Sequence, residues 1–208
     1  HRTTFYVDAI QKDENHAEPY SRILPTDLKG YHKISFLKSD REDMAQGVGA
    51  PYGPAGSIMS TVSDMCKWLL FNLQKGKVGD RQLISEENMR EIHKPNMLMS
   101  EPLLVPFPEQ DFYAYGMGWF LETYRGHMMV EHGGNIDGFS ALVTMIPDQK
   151  LGVVCLTNFN NSFNTYATTY EIVDAYLGES NGEWHQRWRK IIGDIFTQNP
   201  ENMKMLNG

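Results

Sequence analysis

Two strand-like runs joined by a short turn constrain the fold of this chain more than any other feature. They are FSALVTMIP and LGVVCLTN, on either side of Asp148-Gln149-Lys150. An earlier pair, YAYGMGWFLETY and HMMVEH, is joined by a turn at Arg125-Gly126. Apolar, β-branched and aromatic runs bounded by turn residues are typical of antiparallel hairpins. Because these strands are apolar on both faces, we expect helices to cover the sheet.

Apolar residues at helical spacing predict helices before and after the strands. In STVSDMCKWLLFNLQKG the periodic residues are Val62, Met65, Cys66, Leu69, Leu70 and Leu73. A second helix is predicted in LISEENMREIHKP, with Ser85 as its cap and Pro95 as its end. Two more follow the strands, in NTYATTYEIVDAYLG and EWHQRWRKIIGDIF. Helices grouped around an antiparallel sheet indicate an α+β fold.

The start and the end of the chain carry weaker patterns. Residues 1 to about 56 are rich in Pro, Gly and charge. This composition is typical of surface loops with short extended pieces, or of a segment that packs on something outside this sequence. The turn GESNG marks a candidate domain edge. We therefore predict one domain over residues 1–178, and over 179–208 a linker and an amphipathic helix that could begin a further domain.

Composition argues against several kinds of partner and site. The 208 residues include 41% hydrophobic and 22% charged residues, as in ordinary globular proteins. A net charge of −7 argues against nucleic acid or an anionic membrane as the main partner. No apolar run is long enough to span a bilayer. The seven His lack the spacing of metal ligands, so we expect neither a metal nor another cofactor.

The two cysteines are too few for a disulfide framework. Cys66 and Cys155 each lie in an apolar pattern. Free Cys is among the most buried residue types, so we interpret both as buried thiols in preference to a bridge.

Five motifs in register resemble those of one family. The chain contains, in this order, GPAGSIMSTVSDMCKWL, LISEENMREIHKP, YGMGWF, HGGNIDGF and LGVVCLTN. Together they resemble the serine beta-lactamase family, which includes class C beta-lactamases, DD-peptidases, esterases and D-amino-acid peptidases. The resemblance covers about residues 1–178 and depends on all five motifs, since HGG alone is weak. It implies a beta-lactamase/transpeptidase-like fold, an antiparallel sheet flanked by helices, and favours an exported or periplasmic protein.

In that family the active site combines a Ser-x-x-Lys, a Tyr-x-Asn loop and a Lys/His-x-Gly strand. His132-Gly133-Gly134 matches the third element. The resemblance implies that His132 points into the cleft and that the backbone N–H of Asn135 donates to the oxyanion. Gly133 and Gly134 would let substrate lie against the strand edge without a Cβ in the way. His in place of Lys makes the positive charge pH-dependent and weakens the case for penicillin as natural substrate.

Simpler interpretations stand beside this one. A lone HGG is most simply a strand-end His in a glycine turn, and only the flanking motifs favour a site. Tyr113 and Tyr115 could line the cleft, although packing alone would also explain them. We take Tyr115 as a substrate-binding candidate together with Gly133 and Gly134.

The nucleophile is not found among these motifs. One Ser-x-x-Lys occurs, at Ser35 to Lys38, but with 11 Ser and 11 Lys chance alone gives about 0.6 matches. It lies in an irregular polar region and not at the start of an apolar helix, so we interpret it as accidental. The segment Pro19 to Arg22 has Arg where the Tyr loop requires Asn. We therefore expect the C-terminal part of a serine hydrolase, with an incomplete fold.

An incomplete fold would leave apolar surface and a sheet edge open. We therefore expect either the N-terminal half of the same protein as a bound partner or self-association of the chain. The leading hypothesis is a hydrolase that cleaves an ester, amide or beta-lactam in a small-molecule or peptide substrate, through a Ser acyl-enzyme. The alternative is a catalytically inactive binding or structural fragment of the same fold.

Overall fold

The structure is a computed structural model that describes residues 2–22, 30–34, 53–102, 105–136, 138–179 and 182–198. The chain divides into two units. The first unit takes in His1–Thr61, Gly134–Ala141 and Cys155–Gly208, and the second takes in Val62–Gly133 and Leu142–Val154. No helix in the described part of the chain is long and apolar enough to cross a membrane.

The start of the chain contains short elements. Helix α1 is Val7–Gln11, strands β1 and β2 are Tyr20–Arg22 and Tyr31–Lys33, and helix α2 is Gly53–Gly56. The two strands pair antiparallel. The short extended pieces expected in this region are present, and α1 adds a helical turn that the sequence pattern did not predict.

Four further helices in the described residues lie where apolar periodicity predicted them. They are α3 Val62–Leu73, α4 Glu86–Ile92, α5 Asn164–Leu177 and α6 Trp184–Gln198. Ser85 caps α4 as predicted, because its side chain accepts a hydrogen bond from the N–H of Asn88 at 3.2 Å. Gly178 ends α5 in the left-handed conformation, with φ of 81°.

A six-stranded sheet confirms the predicted α+β class. Strands β3 and β4, Lys77–Val78 and Arg81–Gln82, have two residues each and lie outside this sheet. The six strands of the sheet are β5 Met97–Leu98, β6 Gln110–Tyr115, β7 Phe120–Tyr124, β8 His127–Ile136, β9 Phe139–Ile146 and β10 Leu151–Thr157. Their spatial order is β10-β9-β8-β7-β6-β5, so consecutive strands are neighbours. The turn predicted at Arg125-Gly126 joins β7 to β8, and both residues have positive φ, as a type I′ turn requires.

One predicted strand is wrong, because YAYGMGWFLETY is not a single hairpin arm. It contains the end of β6 and all of β7, which pair antiparallel through Tyr115↔Phe120 and Ala114↔Leu121. Gly118 has φ of 79°, a conformation open to glycine at little strain, and the chain reverses there. This split adds one strand to the four that the sequence pattern indicated, and β5 adds another.

The core of the second unit lies between α3 and the sheet. Its buried members are Leu69, Ala114, Trp119, Leu121, Val130 and Met145. Burying one such side chain contributes roughly 1.5–3 kcal/mol, so the cluster fixes α3 on β6, β7 and β8.

The prediction that Cys66 is buried is wrong, because Cys66 is exposed. Helix α3 carries two apolar stripes, and the one with Leu69 packs into the core. Val62, Cys66 and Leu70 follow one another at four-residue spacing on the other stripe, where Val62 and Leu70 are also exposed. Cys155 is half-buried, burial raises the pKa of its thiol, and both cysteines are free.

Helices α5 and α6 pack together in the first unit. Trp184 of α6 is fully buried, and its indole N–H donates to the Asp174 carboxylate at 2.8 Å. Trp188 stacks on Phe163 with ring centroids 5.3 Å apart. The domain boundary after Gly178 stays a prediction, but the helix beyond it lies against α5.

Candidate active site

The segment His132-Gly133-Gly134-Asn135 lies near the end of β8. Strand β7 pairs with β8 from Tyr124↔His127 to Phe120↔Glu131, and His132 is the residue after the last of these pairs. The His132 side chain is half-buried. It therefore lies where the ladder shared with β7 stops, and not in the buried core.

The structure brings together two residues that the sequence had named. The hydroxyl of Tyr115 lies 3.1 Å from Nε2 of His132. The other ring nitrogen of His132, Nδ1, lies 2.7 Å from the backbone oxygen of Gly133. Because a carbonyl oxygen only accepts, Nδ1 must carry the hydrogen. In neutral His132, Nε2 is then an acceptor, and the Tyr115 hydroxyl donates to it.

Aromatic packing holds this pair. The Phe120 ring centroid lies 5.3 Å from that of His132 and 4.7 Å from that of Tyr115. The Tyr115 and His132 rings meet edge to face at 6.0 Å. Ring pairs at these separations add about 0.5–1.5 kcal/mol beyond burial, so each ring restricts the orientation of the other two.

The two glycines after His132 differ in their surroundings. Gly133 is half-buried, whereas Gly134 is exposed, and a Cβ built on Gly134 would meet nothing within 4 Å. Packing within the described residues therefore does not require glycine at position 134. Their role in admitting a substrate stays a prediction.

Asn135 is exposed, and its side chain is tied to a buried serine. Ser140 Oγ lies 2.5 Å from Asn135 Oδ1 and 2.8 Å from the backbone oxygen of Phe159. The N–H of Ser162 donates to the same Oγ at 2.9 Å. This link was not predicted from the sequence, where Ser140 is one polar residue at the start of an apolar strand. The role of the Asn135 backbone N–H as an oxyanion donor also stays a prediction.

A pair of buried carboxyl groups precedes His132 in the second unit. Glu131 is 6% exposed and Glu122 is 7% exposed. Thr144 donates a hydrogen bond to Glu131 at 3.0 Å, and Gln110 donates to Glu122 at 2.6 Å. Burial, and then the negative charge of Glu122, raise the pKa of Glu131 well above its usual value. The neutral form of Glu131 is therefore favoured.

Tyr113, the other tyrosine named from the sequence, does not share in the contact with His132. Its hydroxyl donates to the backbone oxygen of Gln110 at 3.3 Å. Burial, followed by the charges of Glu122 and Asp111, raises the pKa of its phenol.

The remaining sequence candidates are placed as follows. Ser35 to Lys38 lies outside the described residues. Tyr20 to Arg22 forms β1, a short strand paired with β2. Among the side chains that the structure describes, no group of three or more His, Cys, Asp or Glu is placed to hold a metal ion.

The chain is similar in sequence to known proteins. Residues 2–176 match the family model described as Beta-lactamase. The unguisins hydrolase ungD of Aspergillus violaceofuscus is 30% identical over 162 residues, which are 70% of this chain and 28% of that protein. Protein flp of Staphylococcus aureus is 27% identical over 143 residues, 62% of this chain and 26% of that protein. The chain thus spans less than a third of the length of these relatives.

Solved structures share the fold at lower identity. The octameric penicillin-binding protein homologue from Pyrococcus abyssi superimposes with a TM-score of 0.61 and 20% identity, over 86% of this chain and 34% of that chain. The D-amino acid amidase from Ochrobactrum anthropi gives a TM-score of 0.53 and 18% identity, over 90% of this chain and 47% of that chain. At such identities the likeness shows a common fold.

Proposed function

The chain belongs to the beta-lactamase family, and from that premise we propose that it forms the His-Gly-Gly wall of a serine hydrolase site. The proposed reaction is the cleavage of an ester, amide or beta-lactam through a Ser acyl-enzyme. The observation that carries the proposal is the contact of 3.1 Å between the Tyr115 hydroxyl and His132 Nε2. It joins two polar side chains where the β7–β8 ladder ends.

The pair offers a chemistry that depends on the protonation of His132. In neutral His132 the Tyr115 hydroxyl donates to Nε2, so its hydrogen is used within the pair. When His132 gains a proton, Nε2 becomes a donor and the Tyr115 oxygen must accept from it. The phenol hydrogen is then free to turn to a substrate oxygen. His132 and Tyr115 thus present either a neutral pair or a positively charged donor to a carboxylate or an acyl group.

The nucleophile in this proposal is a serine of a Ser-x-x-Lys that lies outside these 208 residues. The chain spans only 28% of the unguisins hydrolase that it resembles, which leaves room for such a segment in a longer parent protein. In this proposal the lysine of that Ser-x-x-Lys takes the proton of the serine, and the backbone N–H of Asn135 donates a hydrogen bond to the oxyanion. Labelling of Ser35 by a fluorophosphonate probe would contradict this part of the proposal.

The partners in this proposal are a small-molecule or peptide substrate and a second protein surface. Strands β5 and β10 are the two ends of the sheet order. On β5, Met97 is 65% exposed and Leu98 is 72% exposed, and apolar side chains on an end strand favour pairing with another chain. The N-terminal part of the same protein, or a second copy of the chain, would cover such an edge. A chain that sediments as a monomer and does not bind a hydrophobic dye would contradict this expectation.

The experiment that tests the function compares this chain with the parent protein on three substrates. They are nitrocefin, p-nitrophenyl acetate and a D-amino acid amide. The proposal predicts turnover of at least one by the parent protein and of none by the 208 residues alone. A folded parent protein that hydrolyses none of them would favour the alternative, a binding or structural member of the family.

A further inference from the structure

We propose that Ser140 is a positioning residue, which holds Asn135 in place through the side-chain amide of Asn135. The inference rests on the proposed function only in giving the Asn135 backbone N–H its role as oxyanion donor. The contacts themselves lie wholly within the first unit. They join the end of β8, the start of β9 and the loop that leads into α5.

Ser140 is the centre of this set of contacts. Its side chain is 3% exposed, so its hydroxyl has no access to bulk water. Three polar groups lie within hydrogen-bond distance of Oγ: Asn135 Oδ1 at 2.5 Å, the Phe159 carbonyl at 2.8 Å and the Ser162 N–H at 2.9 Å. A buried hydroxyl with three neighbours of this kind forms a fixed junction.

The number of hydrogens decides which way each bond runs. A serine hydroxyl has one hydrogen to donate and two lone pairs that accept. The Ser162 N–H donates to one lone pair. Asn135 Oδ1 and the Phe159 carbonyl both accept, so they share the one hydrogen, and the contact of 2.5 Å with Oδ1 is the shorter of the two. Ser140 therefore donates to the amide oxygen of Asn135.

The junction is itself fixed to a neighbouring segment. The Asn160 N–H donates to the backbone oxygen of Tyr20 at 2.8 Å, and Tyr20 pairs with Phe159 in a parallel bridge. The side chain of Asn158 donates to the backbone oxygen of Glu18 at 2.7 Å. The loop that holds Ser140 is therefore tied on both sides of Phe159.

Asn135 needs such an anchor because of the two residues before it. Gly133 and Gly134 have no Cβ, so the backbone that leads to Asn135 has more conformational freedom than any other residues would give. A side-chain bond to a buried, fixed hydroxyl removes part of that freedom. Without Ser140, the Asn135 N–H would no longer be aimed at one point, and a misplacement of about 1 Å can lower turnover by about 100-fold.

Kinetics on the parent enzyme test the role. Ser140→Ala is expected to lower kcat about 10-fold or more and to change KM by less than about 2-fold, because an oxyanion donor acts mainly in the transition state. Ser162→Ala is the matched control, since it removes a neighbouring buried hydroxyl but keeps the backbone N–H that donates to Ser140 Oγ. A Ser140→Ala enzyme with unchanged kcat, or a Ser162→Ala enzyme with an equal loss, would overturn the proposal.

A double-mutant cycle tests the route through the amide. Asn135→Ala should lower kcat as Ser140→Ala does, and the double variant should lose no more than either single variant. Asn135→Asp should keep a higher kcat than Asn135→Ala, because a carboxylate oxygen still accepts from Ser140. Additive losses, or an Asn135→Asp enzyme with a kcat as low as that of Asn135→Ala, would contradict the proposed direction of the bond.

Hydrogen exchange separates this inference from the proposed function. In the parent protein, the backbone amide of Asn135 should exchange at least about 10-fold faster in Ser140→Ala than in Ser162→Ala, whether or not the protein is a hydrolase. A parent protein without hydrolase activity, but with this exchange difference, would refute the function and keep the anchor. An active enzyme whose Ser140→Ala variant exchanges at the wild-type rate would refute the anchor.

Discussion

Tyr115 and His132 make a hydrogen-bond contact of 3.1 Å although their strands, β6 and β8, are not neighbours in the sheet. Strand β7 lies between them and has only five residues. Its first residue, Phe120, pairs with Tyr115 on one side and with Glu131 on the other. The tyrosine therefore reaches over the end of β7 to His132, and the shortness of β7 creates the pair.

Removal of one hydroxyl tests the importance of this contact. In the proposed hydrolase, Tyr115→Phe should lower kcat/KM about 10-fold, since one hydrogen bond is lost while the ring still packs on Phe120. Tyr113→Phe is the matched control on the same strand, because its hydroxyl binds the Gln110 carbonyl and not His132. It should stay within about 2-fold of wild type. Equal kinetics for the two variants would remove Tyr115 from the site.

Local patterns in the sequence predicted the elements but not their contacts. Helices α3 to α6 and the Arg125-Gly126 turn follow from apolar spacing and from turn residues. The exposure of Cys66 did not follow, because two adjacent apolar stripes, each with four-residue spacing, compete for the core and only packing chooses between them. The separation of β6 from β7 at Gly118 was missed for a related reason, since a glycine within an apolar run does not by itself indicate a reversal.

The candidate site divides in the same way. His132, the two glycines and Asn135 could be named because they form one continuous motif that resembles a motif of the family. The Ser140 junction could not, because it depends on how the loop of Phe159 meets the start of β9. The burial of Glu131 is likewise set by its place on an inner strand of the sheet.

The buried carboxyl of Glu131 should make stability depend on pH. As pH rises above the usual carboxyl pKa, the unfolded chain loses this proton while the folded chain keeps it, because the folded pKa is raised. Stability from this group is therefore present at low pH and is lost as pH rises through the folded pKa. Glu131→Gln should be more stable than wild type at alkaline pH, and its free energy of unfolding should decline less as pH rises. Urea unfolding at about pH 5, 7 and 9 measures this.

Glu101→Gln is the control for that experiment, since Glu101 is exposed. It should leave the pH dependence of the unfolding free energy as in wild type. A Glu131→Gln protein that declines with pH as steeply as wild type would show that another group is responsible.

Two glycines with the same backbone conformation allow a test of the contact around the β8–β9 turn. Gly138 and Gly126 have φ of 86° and 79°. A Cβ on Gly138 would overlap Cβ of Pro19, whereas one on Gly126 would meet nothing within 4 Å. Both alanine variants bear about 1–2 kcal/mol of backbone strain. Gly138→Ala should be destabilised by about 1–3 kcal/mol more than Gly126→Ala, as measured by chemical unfolding. Equal losses would mean that Pro19 does not pack on the turn.

Trp184 tests whether α6 is part of the first unit. Its side chain is fully buried and packs on Tyr170 with ring centroids 4.9 Å apart. Trp184→Ala should lower the free energy of unfolding by about 3–5 kcal/mol, the usual loss for a large buried aromatic side chain. Tyr176→Ala on α5, where the tyrosine is 57% exposed, should lower it by much less. Unchanged stability of Trp184→Ala would indicate that α6 is an independent element.

The most direct test of the proposed site is the turnover of His132→Ala in the proposed parent hydrolase, with His127→Ala as control. His127 lies on the same strand and binds Asp148, so the control makes the same substitution away from Tyr115. The proposal predicts that His132→Ala lowers kcat/KM about 100-fold, as the loss of one electrostatic or proton-transfer group does, while thermal unfolding stays close to wild type. His127→Ala should remain within about 2-fold. A folded His132→Ala enzyme with wild-type kcat/KM would contradict the assignment of this strand to the active site.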